Sequence, residues 1–283
     1  MIGDSMKVRF VNVSYNYQSY LPEPQVALND INLQISENEF VGIIGPSGSG
    51  KTTLAQHFTG LLQPSEGKVF INDDDISKAD FDLNSIRRKI GVVFQFPESQ
   101  LFEETVYEDV AYGPKNFGLN EEEIDTRIRE TFNLVDLNFE QIKSRSPFKL
   151  SEGEKRRVAL AGIISMNPEM FILDEPTACL DASGIRKIEK LLVNLHLLGK
   201  TIILISHNLD FIVTLCKRVI LINNGRIYFD GPKAELFKDS NILDKAGLEV
   251  PRIMRYALKL KELDYIENAT VYSIGQLKRL ISA

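Results

Sequence analysis

The chain has 283 residues, 43% of them hydrophobic and 25% charged, with a formal net charge of −6. That length supports one large domain or two small ones with a sizeable core, and the acidic balance argues against a broad basic surface for nucleic acid. No apolar run approaches the ~18 residues needed to span a membrane, so any membrane role must come through a partner.

The first six residues, Met1 to Met6, show no basic-then-apolar leader pattern, and Met6 is an alternative start to Met1. Apolar residues then alternate at Val8, Phe10 and Val13, and again at Ile31, Leu33 and Ile35. That period belongs to half-exposed antiparallel strands. Phe40-Val41-Gly42-Ile43-Ile44 is instead a continuous apolar run, and Gly45-Pro46-Ser47-Gly48-Ser49-Gly50-Lys51-Thr52 follows it, leading into a helix-like segment through Phe58. Strand, glycine loop, helix is the setting in which G-x-x-x-x-G-K-[ST] means phosphate binding. Backbone N–H groups of Gly45, Ser47, Gly48, Ser49, Gly50 and Thr53 are candidates to converge on phosphate, with the helix N-terminus adding positive potential. Lys51 supplies a mobile charge for the β- and γ-phosphates, and Thr52 a hydroxyl for Mg²⁺.

Lys68 to Asn72 reads as another half-exposed strand. The runs 90–94, 170–173, 201–205 and 219–222 are continuously apolar, as in a parallel sheet covered on both faces. Between 98 and 168 the pattern turns helical. Thr105 and Glu108 have capping-box spacing, Phe102, Val106 and Val110 share a face, and Gly113-Pro114 is expected to stop that helix. Asn120 caps a second helix whose stripe is Ile124, Ile128 and Phe132. The two cysteines, Cys179 and Cys216, make no disulfide framework and are expected as small buried apolar residues in a reducing compartment. The chain reads as an α/β core with an antiparallel part and a helical insertion.

Four further constellations carry chemistry. Phe171-Ile172-Leu173 ends in Asp174-Glu175, two acids at the end of a strand, where ligands of open α/β sheets sit. Asp174 suits Mg²⁺, and Glu175 suits a general base on water. Gln95, after the strand 90–94, offers a carboxamide to both metal and water. Ser151-Glu152-Gly153-Glu154 opens a helix with capping-box chemistry, which a plain capped helix would equally explain. His207 follows Ile203-Leu204-Ile205-Ser206 at another strand end, where a γ-phosphate would lie; His57 and His196 lack such a context and read as incidental.

In this order the glycine loop, Gln95, Ser151–Glu154, Asp174-Glu175, Leu180-Asp181 and His207 resemble the ATP-binding cassette (ABC) ATPases. The resemblance implies a P-loop NTPase core over residues 1–230, with ATP and Mg²⁺ as cofactors. It also implies a head-to-tail dimer, in which Ser151 and Gly153 of one subunit complete the site on the other's glycine loop. Ala178-Cys179-Leu180-Asp181 would pass between the two sites. Tyr17 matches the family's adenine-stacking aromatic, with Tyr15 as its rival. The family signature Leu-Ser-Gly-Gly-Gln is altered here, with Glu152 for the first glycine and Glu154 for the glutamine. A carboxylate about 8 Å from phosphate would cost roughly 2 kcal/mol at an effective dielectric near 20, so Glu152 is expected to point away from ATP.

The stretch Gln95-Phe96-Pro97-Glu98-Ser99-Gln100-Leu101-Phe102 and the close Gly113-Pro114-Lys115-Asn116-Phe117-Gly118 are similar to the second ATPase paralogue of energy-coupling factor transporters. Those transporters import vitamins or transition-metal ions. The resemblance implies a second ABC ATPase subunit, as a heterodimer rather than a homodimer, beside a membrane scaffold subunit and a substrate-binding membrane subunit. It also implies a place on the cytoplasmic face of the membrane, and the acidic net charge speaks for no nucleic-acid partner. Leu101 and Phe102 are the candidate apolar anchors. The helical insertion spans about 98–165, and residues 231–283 form a C-terminal helical extension, read either as a dimerisation element or as a cover over the chain's own core. The alternatives are the ATPase of another ABC importer or exporter, or a non-transport cassette.

Overall fold

The computed structural model describes residues 6–17, 25–78, 81–238, 240–267 and 269–281. Met1, one of the two candidate starts, lies outside them; Met6 is buried.

Strands β1 (Val8–Tyr17) and β2 (Gln25–Ile35) pair antiparallel, and β3 (Phe40–Ile44) leads through the glycine loop into α1 (Lys51–Phe58). There follow β4 (Glu66–Ile71), β5 (Asp74–Asp75), α2 (Leu83–Arg87) and β6 (Ile90–Val93). The helical stretch comprises α3 (Val106–Asn116), α4 (Glu121–Leu134), α5 (Phe139–Ile142) and α6 (Glu152–Ser165). Then come β7 (Met170–Asp174), α7 (Ala182–Leu197), β8 (Thr201–Ile205), α8 (Leu209–Leu215) and the hairpin β9 (Arg218–Asn223) and β10 (Arg226–Pro232). Helices α9 (Lys233–Leu236), α10 (Ser240–Lys245), α11 (Arg252–Glu262) and α12 (Ile274–Ile281) close the chain.

The strands form two sheets, as the two sequence patterns predict. One has the order β2-β1-β4-β5 and is antiparallel. The other has the order β10-β9-β3-β8-β7-β6, parallel except for the edge strand β10. The alternating residues of β1 and β2 face each other across the register, Val8 against Ile35, Phe10 against Leu33 and Val13 against Ile31. All six are buried, and they pack with Leu54 and Phe58 of α1 onto one face of the parallel sheet. The other face carries α3, α4, α6 and α7 around Phe132, Ile128 and Phe171. A third, small cluster joins Ile253, Met254 and Ala257 of α11 to Val213 of α8.

Phe132 is fully buried and edge-packed on Phe139 at 5.4 Å between ring centroids. Phe132→Ala is therefore expected to cost about 3–5 kcal/mol, read as a lowered thermal unfolding midpoint.

Three expectations are corrected. Gly113-Pro114 does not stop α3, which runs to Asn116. A proline leaves the carbonyl four residues earlier without its helical donor. Here that carbonyl, of Val110, accepts instead from Ser165 Oγ of α6 at 3.0 Å. Cys179 is exposed, because it sits in the surface loop after β7 rather than on a core-facing position; Cys216 is buried, and burial pushes its thiol up beyond the usual range. Leu101 is buried in the helical core, while Phe102 beside it is 56% exposed, so of the two candidate anchors only Phe102 is on offer.

The turn between β9 and β10 has a second role. Gly225 donates its N–H to the Ser49 carbonyl at 3.0 Å, and its own carbonyl accepts from Asn29 N of β2 at 2.8 Å. It does so at φ 70°, where an added Cβ would lie 2.8 Å from the Ala27 carbonyl oxygen. The glycine loop is thereby pinned to the antiparallel sheet.

Candidate nucleotide-binding site

Parallel neighbours β3, β8, β7 and β6 end side by side, so their following residues meet at one edge. These are the glycine loop, Ser206-His207, Asp174-Glu175 and Gln95. His207, Asp174, Glu175 and Gln95 line one cavity of about 600 Å³ together with Tyr17, Gly45, Ser47, Gly48, Ser49, Gly50, Lys51, Thr52 and Thr53, while Ser206 itself is fully buried.

The glycine loop is closely fitted. Gly50 has φ 105°, and a Cβ there would stand 2.4 Å from the Ala27 carbonyl oxygen, so no side chain fits without moving backbone. Lys51 Nζ reaches back across the loop to the carbonyls of Gly45 at 2.9 Å and Pro46 at 2.8 Å. Burial lowers its pKa, opposed by the nearby Glu175 and Asp174 carboxylates. The ammonium is thus poised at the loop's mouth with little solvent to compete for it.

Thr52 Oγ1 donates to Asp174 Oδ2 at 2.7 Å. Burial pushes the Asp174 carboxyl above its ordinary range; the Thr52 hydrogen bond and Lys51 oppose that shift, while Glu175 adds to it. The Thr52 hydroxyl, the Asp174 carboxylate and the Gln95 carboxamide are hard oxygen donors on one cavity. Among the described residues no group of three or more His, Cys, Asp or Glu side chains forms a metal site alone. That donor set fits Mg²⁺, which prefers one or two protein oxygens with phosphate and water completing its shell.

Glu175 has φ 51°, a left-handed conformation that is uncommon for a residue with a Cβ and marks stored strain. Its backbone N–H is held by the Ile205 carbonyl at 2.9 Å. Oε1 accepts from the His207 backbone N–H at 2.7 Å and lies 2.7 Å from Nδ1 of the ring; Oε2 accepts from Ser206 Oγ at 2.9 Å. This fixes the carboxylate in orientation, and in a neutral ring it places the His207 proton on Nδ1. The His207 side chain remains 73% exposed at the cavity, so the imidazole is accessible to whatever the cavity holds. Ser206 was not singled out from sequence; only the adjacency of β7 and β8 brings it to Glu175.

Of the two tyrosines, Tyr17 stands on the cavity wall, its hydroxyl 3.2 Å from Thr53 Oγ1. Tyr15 packs behind it, edge-on to both Tyr17 and the fully buried His57.

Ser151 and Gly153 are not among the residues lining this cavity. Ser151 caps α6 in a capping box, with Glu154 Oε2 accepting from Ser151 N at 2.9 Å and from its Oγ at 2.8 Å. Those bonds hold the Glu154 carboxyl below its usual range. Glu152 turns along the helix to Lys155 Nζ at 2.7 Å. Gly153 lines a separate small hollow with Asp181, the N-cap of α7.

Residues 28–178 match the family model described as "ABC transporter". The energy-coupling factor transporter ATP-binding protein EcfA2 of Clostridioides difficile (strain 630) is 44% identical over 278 residues, 98% of this chain and 96% of that protein. The protein of the same name from Caldanaerobacter subterraneus subsp. tengcongensis is 46% identical over 258 residues, 91% of this chain and 90% of that one. Among solved structures, cbiO1 of Clostridium perfringens, part of the ABC transporter complex cbiONQ, superposes with a TM-score of 0.74 at 37% identity, covering 87% of this chain and 96% of that one. The ATP-binding cassette MJ0796, a dimer in a post-hydrolysis state with ADP and Pi, gives 0.70 at 34%, covering 80% and 98%. A cavity lined by a glycine loop, two acids and a histidine, and these likenesses over almost the full length, lead to one conclusion: the chain belongs to the ABC transporter ATPases, and among them to the energy-coupling factor transporter ATP-binding proteins.

Proposed function

We propose that this chain hydrolyses ATP as one half of a head-to-tail cassette dimer, a heterodimer with a second paralogue. The dimer sits on the cytoplasmic face of a membrane beneath a scaffold subunit and a substrate-binding subunit, and powers uptake of a vitamin or a transition-metal ion. The observation that carries this reading is the split site. Lys51, Thr52, Asp174, Glu175 and His207 share one cavity, while Ser151 and Gly153 lie apart on the opening of α6. Only a second subunit's signature brings that helix opening to the γ-phosphate, where its N-terminal dipole favours the charge.

In the mechanism, the glycine loop and Lys51 hold the β- and γ-phosphates, and Tyr17 bounds the base end. Glu175, locked by His207 and Ser206, orients the attacking water and takes its proton; the exposed edge of His207 faces the γ-phosphate. Thr52, Asp174 and Gln95 would hold Mg²⁺, which supplies charge neutralisation on the phosphate oxygens when bound. Closure of the two cassettes on ATP and reopening after phosphate release give the stroke.

Phe102 and Tyr112 form an exposed aromatic pair, edge-on at 4.9 Å between centroids, and Phe96, next to Gln95 in the chain, is exposed as well. Asp109 Oδ2 stiffens the approach by accepting from the backbone N–H groups of Phe102 and Glu103. This face suits a helix of the membrane scaffold. The test is a pull-down of the tagged protein from solubilised membranes, with its partners identified. A second cassette and two multi-span subunits are expected, and recovery of the chain alone or with soluble partners would overturn the reading. Phe102→Asp is expected to weaken recovery of the membrane subunits at least tenfold, with ATP binding by the isolated chain unchanged, as for loss of a buried aromatic anchor.

A further inference from the structure

Arg156 lies in the second turn of α6 and is buried, its side chain only 5% exposed. Its guanidinium reaches two loops that are remote in sequence. Nη1 donates to the Ala178 carbonyl at 2.6 Å, and Nη2 donates to the Gln95 carbonyl at 2.6 Å. Its third edge, Nε, faces Glu98 Oε2 at 3.9 Å, and that carboxylate oxygen is buried with no hydrogen-bond partner. A planar fork with fixed donor directions holds both carbonyls at once while its charge lies against the Glu98 carboxylate, whereas an ammonium has no such fork.

The three contacts of Arg156 belong to different parts of the machine. Gln95 and Glu98 flank the exposed Phe96, and Glu98 lies within the short 3₁₀ turn Pro97–Gln100 that leads to Phe102. Ala178 closes the turn that begins at Glu175, its N–H bonded to the Glu175 carbonyl at 3.1 Å. Arg156 itself rides on the helix that Ser151 opens. A displacement of the Gln95–Glu98 segment therefore has two outcomes. Either Arg156 follows it and carries the Ala178 turn along, or a buried charge-assisted bond is left unmade, which is costly.

We propose that Arg156 is a positioning residue that couples the aromatic docking face to the turn behind Glu175 and to the signature helix. Pressure on one of the three is then felt by the other two, so that hydrolysis and the movement of the membrane partner stay in step. The proposal rests on the reading that the Phe96–Phe102 face receives that partner.

The test uses the assembled transporter in vesicles, with Arg156→Gln and Arg156→Lys. ATP turnover and substrate uptake are measured together, and thermal unfolding gives the folded fraction. For Arg156→Gln, kcat for ATP is expected to fall about tenfold with KM within about twofold, and uptake to fall further, so that more ATP is spent per substrate. Arg156→Lys, which keeps the charge and one bond, is expected to fold and to lie between wild type and Arg156→Gln. Uptake and hydrolysis falling in equal proportion, a wild-type ratio in both variants, or a change in KM alone would overturn the proposal. Membrane subunits that still bind Phe102→Asp would overturn the docking reading. Subunits that Phe102→Asp loses, with a wild-type ATP-to-uptake ratio in Arg156→Gln, would sink the coupling alone.

Discussion

Glu175→Gln is expected to lower ATP turnover of the assembled complex by about 10²–10⁴, roughly 3–5 kcal/mol of barrier. The substitution keeps the shape of the side chain but removes the proton acceptor. It also disturbs the clamp around it. Glu175 accepts hydrogen bonds on both oxygens, from His207 on one and Ser206 on the other, and an amide can accept on only one. Nucleotide binding is made by other residues, so ATP affinity should stay near wild type while the ATP-bound dimer persists longer. Single-turnover hydrolysis and gel filtration with ATP check the two halves. Near-wild-type turnover would refute Glu175 as the base.

Lys51→Ala is expected to weaken ATP binding by at least about 100-fold, near 3 kcal/mol, because a desolvated ammonium on phosphate is lost. The accompanying stability change should be small or favourable. Burial lowers the Lys51 pKa, so the folded state disfavours its charge, and at neutral pH carrying that charge opposes folding. Alanine removes the penalty. Titration calorimetry with ATP and a thermal melt separate the two effects. Unchanged affinity would overturn the phosphate-loop assignment, and lost affinity with a collapsed melt would show a folding defect instead.

Much of this was legible in the chain because the pieces are local. Continuous apolar runs marked β3, β6, β7, β8 and β9, and chemistry-bearing residues lay just beyond the first four, since parallel strands deliver their ends to one edge. What was missed depends on distant partners. Pro114 reads as a helix stop unless Ser165 is known to lie against Val110, a pairing 55 residues apart. β10 has no buried residue, so no apolar stripe announces it. Tyr15 and Tyr17 share a strand and a parity. They are told apart by the irregular register of β1 against β2 around Tyr15, which no alternation pattern records. Ser206 and Arg156 likewise gain meaning only from loops that folding brings beside them.

The stitch made by Gly225 has a consequence for how nucleotide leaves. Because one glycine ties Ser49 of the glycine loop to Asn29 of β2, the antiparallel sheet that carries Tyr17 and the proposed phosphate cradle form one frame. Such a frame does not open like a jaw along the length of the ligand. In the proposed dimer, exchange is then expected to follow how far the second subunit withdraws, making the residence time of spent nucleotide a property of the pair rather than of either cassette.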